Sequence, residues 1–338
     1  MLGKFGEKKK IDMKVLQRPI LLVTVIVIMT VLRPTMFLKS TNIQSILLSI
    51  SIYGIIACGT MFPLLIGGID LSIGSICALS GCTTLILVMK FNYTVGGTIA
   101  AFVIGILVGV LCGVINGVIT VKFAIPAFVV TLATKNIVYG LAQMVTNKNT
   151  ITCLNSSFVT WLGTGHILGI PMPIVVFLIC VIITAVVLEK TVFGRRIYAV
   201  GGNPKASTFT GIKSSRIQIL AYIISGFMAG LGGIMLSCFN SQGIASQGSS
   251  YDGDVLVALV VGGVSMSGGE GSIVGGVFGL VLMGIVKNAL TLLSVDSCYQ
   301  DIVTGVVVVL AVAIDMYGRT KDDGLQRKRR FSFKKQNA

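Results

Sequence analysis

Apolar runs of about 20 residues recur from one end of this chain to the other, each long enough to cross a bilayer as a helix. They fall near residues 19–37, 43–66, 71–89, 95–120, 125–145, 168–188, 217–237, 253–266, 272–293 and 299–317. In hydrocarbon every backbone amide needs an internal partner, so such runs become helices rather than isolated strands or loops. The sequence predicts an all-α, polytopic membrane protein of about ten spans. Composition agrees: 54% of the 338 residues are hydrophobic and 12% are charged, a balance soluble domains of this size do not reach.

The formal charge of +15 would suit a nucleic-acid partner if the basic residues formed a folded patch. They do not. Of 27 Lys and Arg, six lie in residues 1–18, six in 189–216 and eight in 318–338. Lys and Arg are retained on the cytoplasmic side of membrane proteins, so these clusters predict a cytoplasmic tail (1–18), a transmembrane domain (19–317) and a second cytoplasmic tail (318–338). An even span count returns both termini and the 189–216 loop to the same side. Arg327–Arg330 reads as a solvated face beside anionic headgroups. The first run resembles a signal peptide, but Arg33-Pro34 follows it without a small-residue cleavage site, so it reads as a retained span.

Chemical motifs are sparse. Eight cysteines lie mostly in apolar runs without a C-x-x-C pair, and His166 is the one histidine, so neither a metal nor a redox centre is expected. There is no G-x-x-x-x-G-K-[ST] loop, nucleophile elbow or H-E-x-x-H helix, so the chain does not bind ATP by a Walker A loop and an intramembrane enzyme has little to stand on. The run Gly268–Ser272 lacks the strand that would frame a phosphate loop, and Ser272 suits a helix cap. Gly105, Gly109, Gly113 and Gly117 repeat along one helix face, the spacing that lets membrane helices approach closely.

Two places predict broken helices. Pro63 precedes Gly67-Gly68-Ile69-Asp70-Leu71-Ser72, and the short eighth run leads into Gly262-Gly263-Val264-Ser265-Met266-Ser267. Breaks of this kind mark solute paths in transporters built from repeats, and the two segments suggest a weak two-half repeat. Asp70, Asp254, Lys287, Asp301 and Asp315 read as lying near span ends, none at the midplane, which argues against a proton-driven carrier. Neutral polar residues inside the spans suit an uncharged polyol: Asn116, Asn136, Tyr139, Gln143 and Gln300, with Asp70, are the candidate substrate path. Helix-to-helix hydrogen bonding is the alternative reading for each.

The longest internal basic loop reads Phe193-Gly194-Arg195-Arg196-Ile197-Tyr198-Ala199-Val200-Gly201-Gly202-Asn203-Pro204-Lys205-Ala206, continuing to Gly211-Ile212-Lys213. Pro204 suits the first helical position and Gly211 the end of a helix. Either a short docking helix or an ordinary basic loop fits. Taken together, this loop, the Gly67–Ser75 run, the Val261–Gly271 run and Ile125-Pro126-Ala127-Phe128 with Thr131-Leu132 resemble the permease subunit of bacterial ABC sugar importers of the ribose, galactose, arabinose and xylose type. Two departures stand out: Ala206-Ser207-Thr208 where that family tends to paired alanines, and Glu270 where it usually has a lysine.

The resemblance implies an inner-membrane assembly of two permease chains, identical or related, with two cytoplasmic ATPase subunits and an external sugar-binding protein. ATP would be bound by the partner, and this chain would carry no cofactor. The 189–216 loop would couple to the ATPase through Gly194, Arg195, Arg196, Tyr198, Gly201, Asn203, Ala206, Gly211 and Ile212. The same architecture would also serve a nucleoside or autoinducer-type solute. A gradient-driven secondary carrier is the alternative outside that class.

Overall fold

The computed structural model describes residues 13–296, 298–300, 302–306 and 309, with side chains from residue 22. The basic residues up to 12, Asp301, Asp315, most of the 299–317 run and the carboxyl tail lie outside the described residues. The described chain is helical almost throughout. In order it forms α1 (Met13–Leu32), α2 (Pro34–Phe37), α3 (Ser40–Leu65), α4 (Ile73–Lys90), α5 (Val95–Lys122) and α6 (Ala127–Thr146). There follow β1 (Ile151–Thr152), α7 (Ser157–Thr164), β2 (His166–Ile167), β3 (Ile170–Pro171) and α8 (Met172–Lys190). The remainder is α9 (Val192–Gly202), α10 (Pro204–Phe209), α11 (Ser214–Asn240), β4 (Gln242–Gly243), α12 (Tyr251–Val261) and α13 (Ile273–Leu292).

Among the described residues, seven helices are long and apolar enough to cross a bilayer: α3, α4, α5, most of α6, α8, α11 and α13. A polytopic all-α membrane protein is therefore what the sequence folds into. The expected count of about ten differs for physical reasons. The apolar part described in α1 is the shorter Leu22–Leu32, α12 has 11 residues, and the last run lies largely outside the described residues. Proline and glycine set several boundaries. Pro34 stops α1 and opens α2 at its first turn.

α3, α4 and α11 form the centre, with about two thirds or more of each apolar window buried. α5, α6 and α8 surround them with about a third or less buried. Ile55, Ile56, Met61 and Leu65 of α3, Ile73 and Ile76 of α4, and Tyr222 of α11 are the large side chains that fill this core. In lipid, size sorts the faces where polarity cannot. On α5 the small face (Gly105, Gly109, Gly113, Gly117) is buried, while Ile99, Val103, Leu107 and Leu111 are exposed. A Cβ at Gly109 would collide with the carbonyl oxygen of Gly226 on α11, and one at Gly113 with that of Tyr222. The glycine repeat thus sets the α5–α11 crossing at backbone contact.

One end of the bundle carries two small antiparallel ladders. β1 pairs with β4, and β2 with β3 across a tight turn whose central residues, Leu168 and Gly169, both have positive φ. The other end carries α9 and α10.

Candidate translocation and coupling sites

Two helices break inside the bundle with the same geometry. At the end of α3 the Gly67 amide donates to Leu64 and the Gly68 amide to Pro63. At the end of α12 the Gly263 amide donates to Val260 and the Val264 amide to Leu259. Both are double-bonded caps that need a left-handed residue, and Gly67 (φ 79°) and Gly263 (φ 85°) supply it. Cap geometry pairs Gly67 with Gly263, one residue along from the pairing the sequences suggest by eye. The turns also touch: the Gly269 amide donates to the Leu65 carbonyl at 2.8 Å. After the second turn, Ser272 caps α13 by accepting from the Gly275 amide at 3.1 Å.

Asp70 follows the first break and is 3% exposed. One carboxylate oxygen accepts from the Ser72 amide (3.0 Å) and the Ser72 hydroxyl (2.6 Å). The other accepts from the hydroxyl of Ser225, near the middle of α11, at 2.8 Å. The Asn116 amide on α5 donates to the Ser72 hydroxyl at 2.8 Å, and Thr131 of α6 shares its hydroxyl proton between the carbonyls of Ile69 (3.0 Å) and Ala127 (2.9 Å). Three helices, α5, α6 and α11, therefore converge on one non-helical turn. Backbone stripped of helical bonds is stable at this depth only with such partners.

The five charges read as lying near span ends leave out Lys135, which stands near the middle of α6 and pairs with Asp252 at 2.6 Å; Lys287 of α13 pairs with Asp254. Both carboxylates sit in the first turn of α12, where the helix dipole favours negative charge. The Lys287 ammonium also lies 5.4 Å from the centre of the Tyr53 ring of α3, which packs on Tyr251 with ring centres 4.3 Å apart. Sequence reasoning passed over Lys135, Asp252, Tyr53 and Tyr251. A lysine midway along an apolar helix was the available signal.

At the basic end, Thr191 caps α9 by accepting from the Gly194 amide (3.1 Å), and Asn203 caps α10 by accepting from the Ala206 amide (2.9 Å). Pro204 opens α10. Gly211 (φ 83°) closes it, its amide donating to Thr208 and that of Ile212 to Ser207. The segment is thus a pair of helices, not an extended loop. Gly194, Ile197 and Val200 are buried against the bundle, and the Tyr198 hydroxyl donates to the Gly271 carbonyl at 2.9 Å. Burial, and then the nearby Glu189, push the Tyr198 phenol up, so it keeps its donor proton. A Cβ on Gly201 would strike the Leu65 carbonyl, and one on Gly269 would meet Gly202 Cα at 2.9 Å. α9 is therefore seated against both broken turns at once.

The candidate residues separate into three places. Asp70 and Asn116 share the buried network. Asn136, Tyr139 and Gln143 lie on the less buried side of α6, the first two exposed, and Tyr139 and Gln143 extend the row begun by Lys135. Gln300 bonds to the Val295 carbonyl at 2.9 Å, beyond α13. Of the coupling candidates, Arg195, Arg196, Asn203, Ala206 and Gly211 are exposed, whereas Gly194 is buried and Tyr198, Gly201 and Ile212 are part-buried. Phe209, absent from those candidates, is 92% exposed at the end of α10.

Interlocked helix breaks within a bundle of seven apolar helices of membrane-spanning length describe a multi-pass membrane protein. Comparison with known proteins agrees. Residues 42–312 match the family described as branched-chain amino acid transport system / permease component. The chain is 40% identical over 291 residues to a ribose import permease of Bacillus subtilis, covering 86% of this chain and 89% of that one. It is 35% identical over 300 residues to the ribose import permease of Escherichia coli K12, covering 88% and 92%. It is 34% identical over 289 residues to an L-arabinose ABC transporter permease of Azospirillum brasilense, covering 84% and 83%. No solved structure matches it. The chain belongs to this family of transport permeases, whose members carry solute and are not enzymes.

Proposed function

We propose that this chain is the permease subunit of an ATP-driven importer for a monosaccharide, with pentoses the first to test. The carrying observation is that relatives aligned over more than four fifths of the chain are permeases for ribose and arabinose. The spans fit that use, since their polar residues are amides, hydroxyls and paired charges, which bond neutral hydroxyls without requiring a counter-ion. In this reading two permease chains, identical or related, form the path. An external binding protein delivers the sugar, and two ATPase subunits dock on the cytoplasmic end. The apolar part of α1, the short α12 and the 299–317 run complete about ten crossings, with both basic tails cytoplasmic.

Coupling is assigned to α9 and α10. Their exposed side presents Arg195, Arg196 and Lys205 with Phe209 as an apolar anchor, the kind of buried aromatic that dominates docking energy. Their inner side rests on the two broken turns, so a displacement of α9 reaches the membrane interior without a flexible linker. Lys135, Asn136, Tyr139 and Gln143 line the path, and Asp70 and Asn116 hold the turn beneath it.

Co-reconstitution of the chain with its ATPase and binding protein in liposomes tests the assignment. The expected result is accumulation of ribose or arabinose against a gradient, strictly dependent on ATP. Accumulation driven by an ion gradient with the chain alone would overturn it. Accumulation of a nucleoside, and of no sugar, would keep the architecture and replace the solute.

A further inference from the structure

α7 is too short to cross a bilayer and sits between the strands of the two ladders, at the end of the bundle away from α9 and α10. Ser156 caps it by accepting from the Val159 amide at 3.3 Å. A helix of 8 residues does not hold its shape alone in water, so α7 depends on what it packs against. Val159 and Gly163, four residues apart on one side, are buried. A Cβ on Gly163 would collide with the Cys238 carbonyl near the end of α11, and Val159 packs in one cluster with Cys153, Ile234 and Cys238. Backbone contact on one side fixes the direction in which every other side of α7 points.

A step of about 100° per residue divides the remainder of α7 into two sides. Phe158 and Trp161 share one, with part-buried Leu162 between them and the packed side, and Ser157, Thr160 and Thr164 share the other. Both rings are exposed, at 45% and 43%. Phe158 meets Phe102 of α5 edge-on, ring centres 5.3 Å apart, and stands 6.2 Å from Trp161. The apolar side of α7 thus continues the outward side of α5, where Ile99, Val103 and Leu107 are exposed. Depth follows from length. The 28 residues of α5 make about 42 Å of helix against about 30 Å of hydrocarbon, so a centred α5 leaves roughly four residues outside at each end. The boundary then falls near Ile99, and Phe102 lies one turn inside it. A helix whose rings rest on Phe102 lies at that boundary.

We propose that α7 is an interfacial helix whose partner is the lipid surface. It lies along the membrane at the ladder end, with Phe158 and Trp161 in the zone between headgroups and acyl chains, Ser157, Thr160 and Thr164 toward water, and Val159 and Gly163 on the bundle. Indole suits that zone because its ring is apolar while its N–H still finds an acceptor. Separate polar and apolar sides are the pattern of a helix that lies in the interface plane. A soluble partner approaching from water would cover the rings only by crossing the boundary, since the surface they belong to runs on down α5 into hydrocarbon. Through Gly163 the helix ties the end of α11 to a fixed depth, opposite the end where α9 sits. The assignment holds whatever solute the chain carries.

Trp161 is the one tryptophan of the chain, so its fluorescence reads this position without any substitution. The full chain is reconstituted in phosphatidylcholine–phosphatidylglycerol vesicles whose lipids carry a nitroxide high on the acyl chain or near its end, and iodide is supplied in parallel on both sides of the membrane. The expected result is loss of most of the emission with the nitroxide high on the chain, a smaller loss with the nitroxide near its end, and far less quenching by iodide than in the chain unfolded in denaturant. In a Trp161→Phe, Thr160→Trp chain the indole moves to the hydroxyl side, and iodide should then quench it more than either lipid does. Iodide quenching of Trp161 with no effect of any nitroxide overturns the proposal and leaves the rings as a docking face for a soluble partner. Quenching by neither means that protein covers the rings, as a second copy of the chain would, and overturns it as well. Strongest quenching from the chain-end nitroxide puts α7 within the hydrocarbon and refutes the interfacial position. Equal lipid quenching of the two indoles refutes the assignment of sides.

Discussion

Replacing Asp70 separates a hydrogen-bond anchor from a group that must carry charge. Asp70→Ala removes the acceptor for three donors at once, the Ser72 amide, the Ser72 hydroxyl and the Ser225 hydroxyl. A buried donor left without a partner costs about 1–3 kcal/mol. Ser225 can turn its hydroxyl toward its own helix backbone and recover most of that loss. The Ser72 pair cannot both recover, because the turn offers no helical carbonyl. The expected net cost is about 3 kcal/mol, from one lost amide bond and one lost hydroxyl bond at a buried acceptor. Asp70→Asn keeps Oδ1 for Ser72 and presents an NH₂ group to Ser225, whose hydroxyl can accept instead of donate. It should cost no more than about 1 kcal/mol. Thermal unfolding of the purified chain in detergent, followed by exposure of its buried cysteines to a maleimide dye, reads the difference. Asp70→Ala is expected to melt well below the wild type and Asp70→Asn close to it. Equal damage from both substitutions would refute the anchor role and require the negative charge itself. No damage from Asp70→Ala would refute the network.

Three further outcomes follow from close contacts and exposure. Gly109→Leu should force α5 away from α11 and lower the melting temperature and yield of folded chain, whereas Gly96→Ala, whose Cβ would meet nothing within 4 Å, should be neutral or mildly stabilising by size-exclusion and melting assays. Gly201→Val should drive a side chain into the Leu65 carbonyl and the Gly269 amide, leaving a folded permease in which ATP hydrolysis continues and sugar uptake falls; unchanged uptake per ATP would dissociate α9 from the broken turns. Phe209→Ala should weaken co-purification of the ATPase by about tenfold without changing the melting temperature of the isolated chain, since the ring is 92% exposed.

What could be read from the sequence is what depends on one stretch of chain. The spans are legible because length and apolarity are local, and the cap of α13 at Ser272 and the ends of α10 at Pro204 and Gly211 are legible for the same reason. The α5 glycine face is legible because a spacing of four residues fixes a helix side whatever lies opposite. Asp70 shows the limit. Its motif announces a break, but the partners that bury it, Ser225 and Asn116, come from helices far along the chain, and nothing in Gly67–Ser72 names them. Lys135 shows another limit: attention to neutral polar groups on α6 passed over a charge beside them, because its neutralising partner, Asp252, sits on a helix whose short length made its place in the bundle uncertain. The depth of α12 in the bundle is a tertiary fact, set by the turn at Gly263 and the two lysines that receive its first residues.

Those lysines also bear on how a displacement of α9 would travel through the bundle. A rigid body that moves needs a contact that does not slip, and backbone packed against backbone slips least, since no rotamer can absorb the motion. Gly201, Leu65 and Gly269 provide such a contact where α9 meets both broken turns. From there the path divides. One branch enters the Asp70 turn and is held by hydrogen bonds to α5, α6 and α11. The other enters α12, whose far end is held by two ion pairs. Ion pairs whose lysines are part-exposed exchange partners more readily than a buried hydrogen-bonded turn does, because water can substitute for each half. The two branches therefore differ in stiffness, and a push on α9 would displace α12 against a fixed Asp70 turn. Uptake should then tolerate substitutions that weaken the pairs evenly, such as Lys135→Arg, better than any that loosen the Asp70 network, because the moving element can be retuned while its fulcrum cannot.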